Sequence, residues 1–217
     1  MKAEDILSRL TTQLKDPTGV RWNEIDLLEY ITDGQRQVCL LVPKAYMVIE
    51  SVKLAAGTEQ TVPAGSSQFG AALVNMGSDG DTRGPAINES EFSDMNRFNP
   101  GWQTDPTSTV VTDFMFEYDN PLTYWVYPPV PSTPDVWIKI RTPKIPAVVT
   151  SPGALMNVND LYLTPIYEYC MYRALSKDAQ TKNTIEAENH RQRFFNALGL
   201  KVEADKGHRQ RQRGGDE

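Results

Sequence analysis

The stretch "RWNEIDLLEYITDGQRQVCLLVPKA" (residues 21–45) has the strongest helical pattern in the chain. Its apolar side chains recur at steps of three and four residues, which is the spacing of one buried helix face. Asn23 suits the capping position before the first turn, and Pro43 is expected to end the helix. The pattern therefore predicts a helix packed along one side. Its predicted core residues are Trp22, Ile25, Leu28 and Ile31.

The centre of this stretch is polar, with the sequence Asp33-Gly34-Gln35-Arg36. A glycine inside a helix lowers the stability of the helix by about 1 kcal/mol relative to alanine, so a structural reason for Gly34 is expected. Gln35 also falls in the same three- to four-residue register as the apolar positions. The helix is therefore expected to do more than pack its apolar side.

Three further segments have helical patterns, at residues 3–15, 159–178 and 183–200. Each has an apolar face at helical spacing, and Gly199 suits the end of the last helix. Tyr169 and Phe194 are the predicted core residues of the last two helices. The simplest packing brings the N-terminal pair of helices against the C-terminal pair as a four-helix bundle.

Between the pairs, the pattern changes to strands at residues 46–57, 59–65, 108–119, 122–129 and 135–145, with a short helix at 89–98. Two-residue alternation in these runs is typical of a half-buried antiparallel sheet. Glycines make the stretch 65–105 look loop-rich, and the prolines at 128, 129, 131 and 134 are expected in a loop or at an exposed edge.

The sequence therefore predicts an α+β chain in four parts. These are an N-terminal helical pair (1–45), an inserted antiparallel β-rich module (46–152), a C-terminal helical pair (153–200) and a flexible, extended C-terminal arm (201–217). The arm lacks periodicity and has few apolar residues, which is typical of a segment without a packed core.

Composition favours a soluble globular protein, with 40% apolar and 23% charged residues in 217. No run approaches the roughly 20 apolar residues that span a bilayer, and the opening "MKAEDILSRL" lacks the features of a signal peptide. Cytoplasmic synthesis, no membrane association and free thiols at Cys39 and Cys170 are therefore expected.

The sequence offers little for catalysis. Its two histidines, His190 and His208, have no ligand-spaced cysteines or carboxylates near them, and no nucleophile motif or phosphate-binding loop occurs. "GSDGDTRG" (77–84) faintly resembles a calcium loop but has no acid at the twelfth position, so a surface turn is expected. We expect no enzyme activity, no metal and no cofactor.

Positive charge is concentrated near the C-terminus. The segment "KGHRQRQR" (206–213) has four positive residues and no acid, and since the net charge is −6, the rest of the chain carries −10. An acidic body disfavours bulk nucleic-acid binding. The basic side chains and the histidine of this segment are Lys206, His208, Arg209, Arg211 and Arg213.

Aromatic residues cluster on the predicted strands. They are Tyr118, Tyr124, Trp125, Tyr127 and Trp137. Core and interface packing is the favoured interpretation, because aromatic residues are enriched in both. The alternative is a ligand- or carbohydrate-binding module that uses an aromatic sheet face for stacking.

The helix "RWNEIDLLEYITDGQRQVCLLVP", the strand "YWVYPPVP" and the helix "LYLTPIYEYCMYRALSKD" together resemble phage head-to-tail adaptor proteins. These are portal-attached neck proteins of tailed phages, and they include the tail tubular protein A group. The resemblance covers residues 3 to 200, and the glycine-rich stretch at 65–105 departs from the family pattern. The order and spacing of the motifs are more specific than any one of them.

The resemblance implies a ring, commonly of twelve copies, docked beneath the portal in the virion. It implies a mechanical function: extending the channel for double-stranded DNA, which passes without sequence-specific binding, and providing a platform for tail or nozzle proteins. It also implies a C-terminal extension that clamps the portal. Assembly in the host cytoplasm would precede incorporation at the head–tail junction.

A ring needs one face of a subunit to meet a different face on the next. Asp33, Gln35 and Arg36 could hydrogen-bond to such a neighbour, or they could face solvent or the subunit's own loops. The arm leaves three alternatives open. Its basic residues could meet an acidic portal groove, contact DNA in the channel, or remain solvated.

Overall fold

The computed structural model of the chain describes residues 1–177 and 181–213, including side chains except at 181, 182 and 200–213. The chain divides into two units. One comprises residues 1–46 together with those from 146 onward, and the other comprises residues 47–145. The helices are α1 (Ala3–Leu14), α2 (Glu24–Leu41), α3 (Phe92–Phe98), α4 (Leu163–Ser176) and α5 (Thr181–Arg213).

The helical unit has a single hydrophobic core. Side chains from α1, α2, α4 and α5 contribute to it, together with the segment that precedes α4. Helix α4 is central, because it packs against α1, α2 and α5. The prediction of an α+β chain whose terminal helices close on each other is confirmed. Short 3₁₀ turns at Pro43–Ala45 and Asp160–Tyr162 adjoin α2 and α4.

One predicted core residue lies elsewhere. Trp22, Leu28 and Ile31 are buried, but Ile25 is 71% exposed, so its placement in the core was wrong. The sequence pattern was counted from Trp22, which precedes the capping residue Asn23 and is not helical. Within α2 the buried stripe begins at Leu27 instead, which turns Ile25 to the outside.

The last helix is longer than the sequence suggested. Gly199 was expected to end it, whereas the backbone of α5 continues to Arg213. Residues 201–213 of the predicted arm lie on the backbone of this helix, and residues 214–217 lie outside the described residues. One interior glycine costs about 1 kcal/mol, which a helix of 33 residues can absorb.

The β unit contains seven strands in two sheets. They are β1 (Met47–Lys53), β2 (Gly57–Thr61), β3 (Ala71–Asn75), β4 (Asn88–Glu89), β5 (Asp113–Phe116), β6 (Thr123–Val130) and β7 (Trp137–Pro143). One sheet has the order β1-β7-β3 and the other β2-β6-β5-β4. Every pairing is antiparallel except that of β4 with β5. Side chains from both sheets form one core.

The glycine-rich stretch contains two strands, β3 and β4, that were not predicted from the sequence. Pro128 and Pro129 also lie in β6 rather than in a loop or at an edge, because β6 is flanked by β2 and β5. The pairing of β6 with β2 is irregular between Gly57 and Glu59. A ladder interrupted at this point does not need the N–H groups that the prolines lack.

Gly34 brings two helices of the helical unit close together. A Cβ atom added to Gly34 would lie 3.0 Å from Ile166 Cγ2 and 3.4 Å from Tyr169 Cδ1, both on α4. The glycine therefore removes the side chain at the point where α2 and α4 approach. This close approach is the reason for a glycine in the middle of a helix.

We expect Gly34→Val to lower the free energy of unfolding by about 1–3 kcal/mol, because the methyl groups of the valine would overpack the contact between α2 and α4. Gly199→Ala is the matched control, since a Cβ there meets nothing within 4 Å. It should instead raise the stability by up to about 1 kcal/mol. Urea unfolding followed by circular dichroism measures both changes. Equal stabilisation by the two substitutions would contradict the close approach.

Candidate functional site

The polar centre of α2 was the candidate inter-subunit site, and its three polar side chains have three different environments. Asp33 lies in an ion pair with Arg173 of α4, with 2.8 Å between Oδ2 and Nη1. Arg173 also donates a hydrogen bond to the hydroxyl of Tyr169 (3.2 Å), and its guanidinium lies over the ring of Tyr30. Asp33 therefore contacts its own subunit.

Gln35 is fully buried inside the subunit. Its Oε1 accepts a hydrogen bond from the backbone N–H of Asn157 (2.9 Å) and a longer one from that of Val158 (3.5 Å). One turn earlier, the hydroxyl of Thr32 accepts from the backbone N–H of Val149 (3.0 Å). These polar residues hold the segment before α4 against α2. Of the alternatives left open for Gln35, the structure shows a hydrogen bond to a loop of its own subunit.

Arg36 is exposed and has no hydrogen bond or ion pair within the described part of the chain. It is the member of the three whose charged group remains available to another molecule. The sequence could not separate these three environments, because adjacent helix positions point about 100° apart and the positions of α4 and the loop are tertiary information.

The entry to α2 is fixed by Asp16 and Trp22. The carboxylate of Asp16 accepts hydrogen bonds from the backbone N–H groups of Trp22 (2.9 Å), Arg21 (2.8 Å) and Val20 (3.1 Å). These bonds, that from Trp22 first, hold the pKa of Asp16 below its ordinary value. Trp22 Nε1 in turn donates to the carbonyl of Ala174 on α4, at 2.9 Å. Asp16 was not among the site residues predicted from the sequence.

Helices α4 and α5 are joined by a half-buried polar pair and by ring packing. His190 Nδ1 lies 2.5 Å from Glu168 Oε2. The ring of Tyr169 lies 5.5 Å from that of Phe194, which is buried, whereas Tyr169 is half-buried. His190 thus serves helix packing here, and no nucleophile in the described residues is paired with it.

Neither thiol is placed for reaction. Burial raises the pKa of Cys39 to about 11 and raises that of the fully buried Cys170 further still. Within the described residues, no group of three or more His, Cys, Asp or Glu side chains could hold a metal ion.

The loop at 77–84 is a turn organised by one aspartate. The carboxylate of Asp79 accepts hydrogen bonds from the N–H groups of Asp81 (3.0 Å) and Thr82 (2.9 Å) and from the Thr82 hydroxyl (2.8 Å). These bonds, those from Thr82 first, lower the pKa of Asp79 to about 2. Both carboxylate oxygens of Asp79 are therefore engaged within the loop itself.

The strand aromatics do not share one face. Tyr124 is buried and stacks on Phe69 with 4.3 Å between ring centroids, and Trp125 meets Phe92 edge-on at 4.8 Å. The hydroxyl of Tyr127 donates to Asp105 (2.9 Å). The rings of Tyr118 and Trp137 have different surroundings, since Tyr118 is 88% exposed and Trp137 lies under Gly80. These side chains therefore do not form the single aromatic face on which a carbohydrate or other ligand would stack.

The basic segment lies on the last part of α5. The residues predicted to contact the portal, Lys206, His208, Arg209, Arg211 and Arg213, have a helical backbone, and their side chains lie outside the described part of the structure.

Comparison with protein families identifies the group to which this chain is related. The SU10 adaptor protein family matches residues 1–215. The chain belongs to this family. It is a family of phage adaptors, so the protein is a structural component of the virion that associates with portal and tail proteins, and its class is not an enzyme class. No curated protein matches the chain.

The match spans the helical unit, the inserted β unit and nearly all of the C-terminal segment of this adaptor. Within the described residues, none of the helices is both long and apolar enough to cross a bilayer.

The Asp16 contacts predict a specific pH dependence. Because the folded-state pKa lies below the unfolded value near 3.8, the stabilisation by Asp16 is complete above about pH 4. It is lost as the pH falls through the folded pKa. We expect Asp16→Asn to lower the free energy of unfolding at pH 7, and the gap to wild type to narrow below pH 4.

Urea unfolding of both proteins at pH 7 and pH 3 measures this gap. Asp119→Asn is the control, because Asp119 is exposed and has no hydrogen bond in the described structure. It should leave the free energy of unfolding at pH 7 unchanged. A gap for Asp16→Asn that stays constant from pH 7 to pH 3 would contradict the role of the carboxylate.

Proposed function

We propose that this adaptor forms a ring beneath the phage portal, extends the DNA channel and provides the platform to which the tail attaches. The ring would contain about twelve copies, as the likeness to the tail tubular protein A group suggests. Double-stranded DNA would pass through it without sequence-specific binding. The copies would be made in the host cytoplasm and would join the head–tail junction of the virion.

The observation that carries this proposal is the family match over residues 1–215, which includes both units and the basic segment. The helical unit adds support, because its four helices share a core and leave charged and apolar groups of α2 outside. Such a subunit has the rigid body and free faces that a closed ring of repeated contacts requires.

The distribution of charge along the chain supports both the proposed DNA channel and the proposed contact with the portal. Outside residues 206–213 the chain carries −10, which disfavours adhesion of passing DNA. The basic segment has the opposite charge and lies at the end of a helix of 33 residues. At about 1.5 Å per residue, α5 is roughly 50 Å long against roughly 21 Å for α4. A long, basic helix end of this kind suits an acidic groove on the portal.

Electron microscopy of the full chain mixed with its portal tests the proposal. The expected image has one ring of this chain on the tail-facing side of the portal, coaxial with the channel. A location away from the junction of head and tail would contradict it, as would copies bound singly at the portal rim.

We expect removal of residues 201–217 to leave the helical core folded, since its described residues all precede Gly199. Portal docking should weaken by about tenfold or more, because several charge contacts of up to about 1 kcal/mol each are lost. Sedimentation with purified portal measures docking, and circular dichroism measures folding.

The matched control retains the length of the segment and changes Arg209, Arg211 and Arg213 to Gln. If charge carries the contact, this variant should dock as weakly as the truncated one. Undiminished docking of both would remove the portal role of the segment.

A further inference from the structure

One side of α2 has four exposed residues spread along its length. Ile25, Glu29, Arg36 and Leu40 lie within about 60° of one another around the helix, given 100° per residue. All four are exposed, and the two apolar residues at the ends are 71% and 72% exposed. We call these four residues the outer stripe.

The structure leaves the outer stripe open between two flanks. On one side, Thr32 is covered by the segment whose Val149 N–H it accepts. On the other side, Asp33 and Asp26 form ion pairs with Arg173 and Lys177, at 2.8 Å and 2.6 Å. The charges beside the stripe are therefore neutralised within the subunit.

The two charges within the stripe are not neutralised. Glu29 and Arg36 have no ion pair or hydrogen bond in the described part of the chain. They are seven residues apart, which is roughly 10 Å along a helix, so they cannot pair directly with each other. Each is therefore free to pair with an opposite charge on another molecule.

The order of residues along the stripe is apolar, acidic, basic, apolar, and it has a centre of symmetry. The point between residues 32 and 33 lies midway between Ile25 and Leu40 and also midway between Glu29 and Arg36. If a second copy of α2 lies antiparallel across this point, each Glu29 meets an Arg36 and each Ile25 meets a Leu40. A parallel copy would instead bring Glu29 against Glu29 and Arg36 against Arg36.

We propose that unassembled copies of this protein pair through the outer stripe, with the two α2 helices antiparallel about a twofold axis. The pattern is self-complementary, which is the requirement of an isologous interface. Two apolar contacts at the ends and two ion pairs nearer the axis then repeat on each copy. The occupant of this face is a second copy of the same chain.

This pairing goes beyond the proposed ring. A twofold contact joins two copies and closes, whereas a ring is built from contacts between different faces. One pair of 18-residue helices also buries less than the 1,200–2,000 Å² typical of stable complexes, so a weak dimer is expected. A weak pair would cover the apolar ends of the stripe in the free protein and separate during assembly.

Charge reversal at the two stripe positions tests the pairing. In Glu29→Arg the stripe has two basic residues, and in Arg36→Glu it has two acidic ones. Each variant alone should therefore repel its own copy and dimerise roughly tenfold more weakly than wild type. An equimolar mixture of the two should pair again, because every charge contact across the axis becomes favourable.

Sedimentation equilibrium of the full chains over a range of concentrations gives the answer. Wild type and the mixture should shift from 24.4 kDa toward twice that mass, and each variant alone should remain near 24.4 kDa. Both substitutions are at exposed helix positions, and an unchanged urea midpoint verifies that each variant folds.

Three results would overturn the pairing. They are a wild-type protein that stays monomeric, single variants that dimerise as well as wild type, and a mixture that fails to pair. Portal docking of each variant separates this inference from the proposed function. A wild-type protein that docks on the portal but stays monomeric in solution would refute the pair and retain the adaptor role. Variants that dimerise as well as wild type but lose docking would assign the stripe to a ring neighbour.

Discussion

The structure of the helical unit depends on the contact between α2 and α4, which lie on opposite sides of the inserted β unit in the sequence. Gly34 lets the two helices approach, Trp22 Nε1 donates to the carbonyl of Ala174, and Asp33 pairs with Arg173. These contacts join residues that are at least 130 positions apart in the chain. The closure cost of an inserted unit of about a hundred residues grows only slowly with its length, so a few specific contacts can offset it.

Helix α2 has a different task on each of its sides. Its glycine side meets α4, its Thr32 and Gln35 side holds the segment before α4, and its remaining side faces outward. The buried oxygen of Gln35 accepts backbone N–H groups that would otherwise be unsatisfied, whereas its Nε2 has no hydrogen-bond partner in the described structure. Polar residues that looked suited to a neighbouring subunit thus first complete the fold of their own.

Helical periodicity predicted the four long helices and their common core, because a repeating apolar face can be recognised in the sequence. The failures share a physical cause. Ile25 was misplaced because Trp22 is buried from a non-helical position, and β3 was hidden among glycines whose surroundings only tertiary pairing reveals. The environments of Asp33 and Gln35 depended on Arg173 and Asn157, more than a hundred residues away. No local pattern contains that information.

An adaptor has to satisfy two conflicting requirements, which are stability as a free protein and readiness to bind neighbours. The described structure separates them in space. Its buried Asp16 and Gln35 accept backbone hydrogen bonds within the subunit, although Gln35 Nε2 has no partner there, whereas Glu29 and Arg36 are exposed without partners in the described residues. Exposed charges cost little while solvated, and they disfavour wrong contacts because an unmatched pairing leaves like charges together. Assembly can then be directed by the outer surface without any change to the core that holds the helices together.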